Sequence, residues 1–200
     1  MKILALLSLL ISATSASAMP GMSGFFLKPA GVYWSTNTND GDPYGVGATK
    51  NTKISTALHG TLAYLFSAGF FVGGTYVYLT EKTKTQVNLA TTTDSSEIWT
   101  GFGPTLGWMS GGFFLAGTFL TAPTYSYTTT STINYKGGSG YVADVGYLLW
   151  VSNGLGLGAQ LSYYNATYTK LVSSGGTETT LSTQATDAFI RPSVALTFLF

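Results

Sequence analysis

The chain has 200 residues, of which only 8% are charged and none is cysteine. The absence of cysteine excludes a disulfide framework and a cysteine-based metal site. The formal net charge of +1 gives no sign of a nucleic-acid-binding surface. Soluble domains average roughly 25% charged residues, so this chain would be poorly solvated if its whole surface faced water.

Residues 1–18 have the features of a secretory signal peptide. Lys2 supplies a positive charge, residues 3–11 form an apolar run, and residues 16–18 (Ala-Ser-Ala) provide a small-residue cleavage site. A transmembrane helix needs about 20 apolar residues, so an uncleaved anchor is the less favoured alternative. We expect export to leave residues 19–200 as one domain with equal numbers of acidic and basic side chains.

An internal repeat predicts the architecture of this domain. Similar segments begin at near-equal intervals, at Gly24, Gly69, Gly112 and Gly154. The last three follow short runs of Ser, Ala, Asn and Gly, in which Ser, Asn and Gly provide the backbone angles of tight hairpin turns. Each repeat predicts an up-strand, a longer polar connection, a down-strand and a tight turn. A soluble β-sandwich could also repeat hairpins, but it would not sort its connections by length in this way.

Alternation of apolar and polar residues places eight strands in the chain. Their predicted ranges are Gly24–Ser35, Lys53–Phe66, Phe70–Thr80, Glu97–Met109, Phe113–Thr128, Ser139–Val151, Leu155–Lys170 and Thr186–Phe200. The register of the fourth strand is ambiguous. Its predicted outward residues are Ile98, Phe102, Leu106 and Trp108. Alignment of its turn with the other turns would instead place Met109 outward.

Most charged residues lie in or beside the four longer connections. The exceptions within strands are Lys28, Asp144, Asp187 and Arg191, and the alternation places all four opposite the apolar face. A Lys or Arg facing lipid at mid-depth would cost about 2–4 kcal/mol. No mature segment is long and apolar enough for a membrane helix, so a closed barrel is the remaining structure able to satisfy its backbone in lipid. We therefore predict an all-β, eight-stranded, antiparallel up-and-down transmembrane β-barrel.

Aromatic residues fall in two bands, as expected where amphipathic rings mark the two membrane interfaces. The band near the tight turns comprises Phe25, Phe66, Phe70, Trp108, Phe113, Trp150, Phe198 and Phe200. The band near the longer connections comprises Tyr33, Trp34, Tyr76, Tyr78, Trp99, Tyr125, Tyr127, Tyr163 and Tyr168. Aromatic residues are also common in strands of every kind, which leaves an ordinary sheet as the alternative explanation.

The last strand alternates regularly and places Phe198 and Phe200 on its apolar side. This closing strand resembles the C-terminal signature that the assembly machinery of bacterial outer-membrane barrels reads. An edge strand of a soluble sandwich is the alternative. With the leader and the repeat layout, residues 19–200 resemble the small eight-stranded outer-membrane proteins of the OmpA, OmpX and OmpW type, without a motif specific to one subfamily.

The resemblance implies a location in the bacterial outer membrane. It also implies a monomer that contacts outer-membrane lipid and lipopolysaccharide and depends on the barrel-assembly machinery. Two classes of function follow from it: a structural or surface-interaction barrel, and a channel for small solutes or hydrophobic molecules. A gap in strand pairing beside Pro29, Pro104, Pro123 or Pro192 would favour the hydrophobic channel.

Inward-facing polar side chains are predicted to occupy the lumen, because eight strands enclose a space just wide enough for side chains to fill. They are Lys28, His59, Asp144, Gln160, Asp187 and Arg191. We expect Arg191 to pair with Asp144 or Asp187, because an unpaired buried charge is costly. The network is predicted to form a plug, with a gated ion path as the alternative. Inward glycines could leave gaps for water or make room for large side chains.

No catalytic residue, metal ligand or cofactor is predicted. Some small outer-membrane barrels modify lipid A with a Ser, a His and an acid near the lipid-facing rim, which makes such an enzyme a third, less favoured function. The single histidine here, His59, is predicted to face inward, and Gly60-Thr61 follows it rather than the His-x-Ser arrangement of that family. The segment Asn39-Asp40-Gly41-Asp42 lacks the downstream Glu of a calcium loop.

Overall fold

The computed structural model describes residues 22–40, 49–87 and 91–200. The predicted signal peptide, residues 1–18, lies outside the described residues, as do parts of two connections. In the ranges that are described, the secondary structure consists of β-strands, and no helix there is long and apolar enough to cross a membrane.

Nine strands make up the described part of the chain. In order they are β1 (Gly24–Asp40), β2 (Thr49–Leu65), β3 (Phe70–Val87), β4 (Thr91–Ser110), β5 (Phe113–Thr128), β6 (Thr132–Lys136), β7 (Ser139–Ser152), β8 (Leu155–Val172) and β9 (Glu178–Leu199). The eight predicted strands are all present. Two corrections apply: the short strand β6 was not predicted, and several strands extend well into segments predicted as polar connections.

Eight strands form a closed, up-and-down ring of backbone hydrogen bonds, each antiparallel to the next. The order around the ring is β1–β2–β3–β4–β5–β7–β8–β9, and β9 pairs back to β1. The short strand β6 lies beyond the end of β7, where it pairs with the far ends of β5 and β8. The predicted all-β class and antiparallel up-and-down order are therefore confirmed.

The tight turns and both ends of the described chain lie at one end of the ring, here named the turn end. Gly69, Gly111 and Gly112 have positive φ angles in these turns. A Cβ on Gly112 would lie 2.2 Å from the Leu148 carbonyl oxygen, so this position accepts only glycine. Phe25 and Phe200 exchange two backbone hydrogen bonds of 2.9 Å at the same end. The opposite end is named the loop end.

The ring is apolar outside, as the alternation predicts. Large apolar side chains that are more than 40% exposed include Phe25, Leu62, Phe70, Phe102, Leu106, Phe119, Leu161, Ile190, Val194 and Phe198. On β4, Phe102, Leu106 and Trp108 face outward while Met109 is buried, so the preferred register of that strand is confirmed. Lys28 and Asp144 are buried inside the ring.

Large side chains fill the interior near the turn end. The buried cluster includes Phe26, Leu65, Phe71, Met109, Phe114 and Leu148. Inward glycines make room for these rings: a Cβ on Gly107 would lie 2.1 Å from Phe71 Cζ, and one on Gly146 would lie 2.5 Å from Phe114. At these two positions the inward glycines therefore accommodate aromatic rings.

Three aromatic residues predicted for the band near the longer connections lie inside the ring instead. Trp99 and Tyr168 are 3% and 1% exposed, and Tyr125 packs against Tyr168. On β4 and β8 the alternation itself turns Trp99 and Tyr168 inward. On β5 an irregularity in pairing opposite Thr100–Phe102, where Ala122 has a positive φ angle, turns Tyr125 inward. The outward band near the longer connections therefore does not include these three, as the alternation on β4 already indicated for Trp99.

The seam between β1 and β9 is the weakest closure of the ring. Besides the Phe25–Phe200 pair at the turn end, its ladder comprises only Phe26–Leu199, Leu27–Phe198, Ala30–Ala195 and Gly31–Val194 among the described residues. Toward the loop end the two strands continue, each paired only on its other side. Pro29 lies within the paired part and lacks an amide hydrogen, while Pro192 lies just beyond the last pair. The wall therefore has a break in strand pairing beside a proline.

We expect Gly107→Ala to destabilise the fold by about 1–3 kcal/mol, the usual cost of overpacking a core. The new methyl group would displace the Phe71 ring. Gly117→Ala is the matched control, because Gly117 lies on the neighbouring strand and a Cβ there meets nothing within 4 Å. The measurement is the free energy of unfolding in urea. Equal effects of the two substitutions would contradict the packing described here.

Candidate functional site

A network of buried polar side chains crosses the middle of the ring. Lys28 on β1, His59 on β2, Asp144 on β7 and Gln160 on β8 are each 4% exposed or less. All four were predicted to face inward. Because β2 and β7 lie on opposite sides of the ring, the network joins opposite walls.

Lys28 is held by a hydrogen bond and by an aromatic ring. Its Nζ donates to Gln160 Oε1 at 2.6 Å and lies 3.9 Å from the centre of the Phe114 ring. Such a cation–π contact is strengthened by the removal of water. Gln160 Nε2 in turn donates to Asp144 Oδ1 at 3.1 Å and to Ser162 Oγ at 2.8 Å. The amide of Gln160 thus links the buried cation to the buried carboxylate.

His59 lies between a carboxylate and a phenol. Its Nε2 is 3.3 Å from Asp144 Oδ2, and its Nδ1 is 3.1 Å from the Tyr164 hydroxyl oxygen. The Nε2–Oδ2 approach is close, but its angles fall short of a hydrogen bond, so neither atom has such a partner within the described ranges. The arrangement holds His59 inside a polar cluster.

A chain of threonine hydroxyls continues the polar lining around half of the inner wall. Thr61, Thr75, Thr105 and Thr118 lie on β2, β3, β4 and β5. Their Oγ1 atoms are joined in that order by hydrogen bonds of 2.9, 2.7 and 2.8 Å. All four side chains are buried from water. The bonds between them give each hydroxyl the hydrogen-bond partner that water would otherwise provide.

Arg191 has a different partner from the one predicted. Its Nη2 donates to Glu81 Oε2 at 3.2 Å, across the ring from β9 to β3. Glu81 also accepts from Ser55 Oγ at 3.0 Å and lies 2.5 Å from Lys53 Nζ. The predicted pairing of Arg191 with Asp144 or Asp187 was wrong, because the extension of β3 beyond Thr80 brings Glu81 inside the ring.

Of the predicted lumen residues, four belong to the central network and two lie nearer the loop end. Asp187 and Arg191 are partly buried there and line one cavity. The predicted assembly residues Phe198 and Phe200 are 42% and 73% exposed at the turn end. Their role in assembly stays a prediction.

Sequence reasoning missed several members of the network. Ser162 follows Gln160 at the next alternate position of β8, so extending the period-2 pattern from Gln160 would have found it. Glu81 was assigned to a polar connection, which removed it from the candidates.

Beyond the ring, an ionic cluster joins the short strand β6 to its neighbours. Glu178 Oε1 and Oε2 lie 2.6 Å from Lys170 Nζ and Lys136 Nζ. Hydrogen bonds from Lys136 and Lys170 lower the pKa of Glu178 from 4.5 to about 2. The carboxylate therefore contributes stability above pH 4.5 that is lost as the pH falls toward 2.

The network can hold charge and protons but has few features of a metal or cofactor site. In residues 22–40, 49–87 and 91–200, no three His, Asp or Glu side chains converge as a metal ion would require. His59 contacts Tyr164, Gln160 and Asp144. These contacts stabilise a buried imidazole.

The chain matches no protein-family model, and it has no significant match among curated proteins.

We expect Asp144→Asn to destabilise the protein by about 3 kcal/mol or more, because Lys28 loses the buried negative charge that balances it. The double variant Lys28→Met/Asp144→Asn removes both charges and is expected to recover part of that loss. The measurement is a double-mutant cycle of unfolding free energies. Additive effects of the two substitutions would show that the charges are not coupled.

Proposed function

We propose that this protein is an integral β-barrel of the bacterial outer membrane with a structural or surface-interaction role and a closed lumen. The observation that carries the proposal is the reversed distribution of polarity. Large apolar side chains cover the outside of the ring, while Lys28, His59 and Asp144 are buried inside it. A water-soluble sheet protein would place these two sets the other way round.

Strand length agrees with this proposal. A tilted strand crosses a bilayer in about 9–11 residues. The ring strands here contain between 14 and 22 residues. We infer that the part near the turn end spans the bilayer and that the part near the loop end projects beyond it. The secretory leader predicted for residues 1–18 would provide export, and the closing strand with Phe198 and Phe200 would engage the assembly machinery.

The closed lumen is supported by contacts that cross the ring at successive heights. Toward the turn end, Lys28 Nζ on β1 lies 3.9 Å from the centre of the Phe114 ring on β5, the opposite strand of the ring. His59 reaches Asp144 in the middle, and Arg191 reaches Glu81 nearer the loop end. Side chains that meet across the ring in this way oppose the passage of solutes.

A surface-interaction role is supported by the free edges at the loop end. The parts of β1 and β9 beyond the Gly31–Val194 pair each have one side without a strand partner in the described residues. Such edges can accept an additional strand from another protein. The partner would be an extended segment of a surface or secreted protein, and lipopolysaccharide would surround the barrel below it.

The second candidate is a channel for hydrophobic molecules that opens through the wall. The break in pairing between β1 and β9 lies beside Pro192, which is the kind of gap that would favour such a path. The inward side chains nearest this break include Arg191, which is engaged with Glu81. A hydrophobic solute would have to pass these polar groups, so the closed barrel is the preferred proposal.

Leu161→Arg tests the membrane position. Leu161 faces outward on β8 and is 46% exposed. In a bilayer, arginine at mid-depth should cost about 2–4 kcal/mol of unfolding free energy in lipid vesicles. Ser152→Arg, at the turn end, is the control and should cost little. In a protein that folds in water both changes would be nearly neutral, which would refute the proposal.

Single-channel recording in planar bilayers separates the two candidates. We expect no conductance from the wild-type protein, and none from Arg191→Ala, because the His59–Asp144 contact and the aromatic core still cross the ring. Discrete conductance steps in the wild type would contradict a closed lumen. A heat-denatured sample serves as the control for detergent artefacts.

A further inference from the structure

Two adjoining cavities lie inside the ring near the loop end, outside the central network. The first, of about 130 Å³, is lined in part by Glu97, Trp99, Tyr125, Asp187 and Arg191. The second, of about 280 Å³, shares three of these residues, Glu97, Tyr125 and Asp187. The second cavity alone approaches the lower limit of small-molecule pockets, roughly 300 Å³.

The cavity walls are aromatic. Tyr125, Tyr135 and Tyr168 lie with their ring centres 5.8 to 6.4 Å apart and their planes tilted by 37 to 54°. Trp99 packs against Phe189 from the opposite wall at 5.6 Å. Aromatic residues grouped around a cavity are the surroundings in which proteins bind quaternary ammonium groups, because the ring faces attract positive charge.

The charges of the lining are predominantly negative. The two cavities are lined by three carboxylates, Glu81, Glu97 and Asp187, and by one guanidinium, that of Arg191. Arg191 is engaged with Glu81, and Lys53 contacts the same carboxylate. Of the three lining carboxylates, Glu97 and Asp187 have no ion-pair partner in the described part of the chain.

The position of Glu97 adds a second indication of a bound cation. It is the direct cross-strand partner of Glu81 in the β3–β4 ladder. Like charges opposite each other on adjacent strands destabilise a sheet. Lys53 and Arg191 compensate Glu81, and a positive group in the cavity would compensate Glu97.

Two buried polar atoms in the lining lack hydrogen-bond partners. The hydroxyl oxygen of Tyr168 and Nε1 of Trp99 are without partners in the described residues, and both side chains are at least 97% buried. The two groups are near each other, but their geometry does not form a hydrogen bond. Buried polar groups normally have partners. A hydroxyl on a ligand could supply a partner to either atom.

We propose that these cavities bind a small organic ammonium ion that carries a hydroxyl group. Tyr125, Tyr135 and Tyr168 surround the ammonium group, Glu97 and Asp187 balance its charge, and the ligand hydroxyl meets Tyr168 or Trp99. An anion is disfavoured by the carboxylates. The ammonium group could belong to a free molecule or to a lipid headgroup.

The test is isothermal titration calorimetry on the full chain in a nonionic detergent, with choline chloride as the probe. Its neutral isostere 3,3-dimethyl-1-butanol is the matched control, because it has the same shape and hydroxyl but no charge. We expect saturable binding of choline and a Kd for the isostere that is at least roughly tenfold higher. Equal binding of the two, or no binding of choline, would overturn the proposal.

Three variants of lining residues and one control variant locate the site. Glu97→Gln and Asp187→Asn should each raise the Kd for choline roughly tenfold. Asp94→Asn removes an exposed carboxylate that does not line the cavities and should leave the Kd unchanged. Tyr168→Phe keeps the ring but removes the hydroxyl. It should therefore weaken the binding of choline and leave the binding of tetramethylammonium, which has no hydroxyl, unchanged. Thermal unfolding by circular dichroism confirms that each variant is folded.

Competition distinguishes the two sources of the ammonium group. If soluble phosphocholine displaces choline, the ligand is a free molecule. If dodecylphosphocholine displaces choline and soluble phosphocholine does not, the ligand is a lipid headgroup. Loss of choline binding in Asp94→Asn to the same extent as in Glu97→Gln would contradict the assigned site. None of these outcomes depends on whether the ring spans a bilayer, so this proposal can fail independently of the proposed function.

Discussion

The closed ring of backbone hydrogen bonds is the constraint on which the rest of the structure depends. Because eight strands pair in sequence order and β9 returns to β1, each alternate side chain must lie either inside or outside. A shift of one residue in any strand would exchange its two faces. The sequence avoids that exchange by keeping apolar side chains at one set of positions and Lys28, His59 and Asp144 at the other.

Burial of charged groups inside the ring is tolerable because they are linked to one another. Gln160 connects Lys28 to Asp144, and Asp144 approaches His59. Without these contacts each charge would lack the water that stabilises it and gain nothing in return. The same contacts tie opposite walls together, so the interior is filled by interactions that also support the closed shape.

Much of this fold could be predicted from the sequence, because the apolar alternation and the Gly-containing turns are local signals. The hairpin order and the inward position of Lys28, His59, Asp144 and Gln160 follow from them. On β4 the alternation indicated the observed face, while alignment of the turn indicated the opposite one. The end of β3 could not be predicted in this way, since residues 81–86 are polar and are held by ladder bonds to β2 and β4 rather than by burial. The pairing of Arg191 with Glu81 depends on two strands meeting across the ring, which no local pattern records.

Sedimentation velocity of purified residues 19–200, with and without detergent, tests the central claim most directly. A ring with an apolar exterior should sediment as a single species with bound detergent and should aggregate when the detergent is removed. A monodisperse, folded protein in plain buffer would contradict the account, because a wall so rich in exposed Phe, Leu and Val would then be facing water.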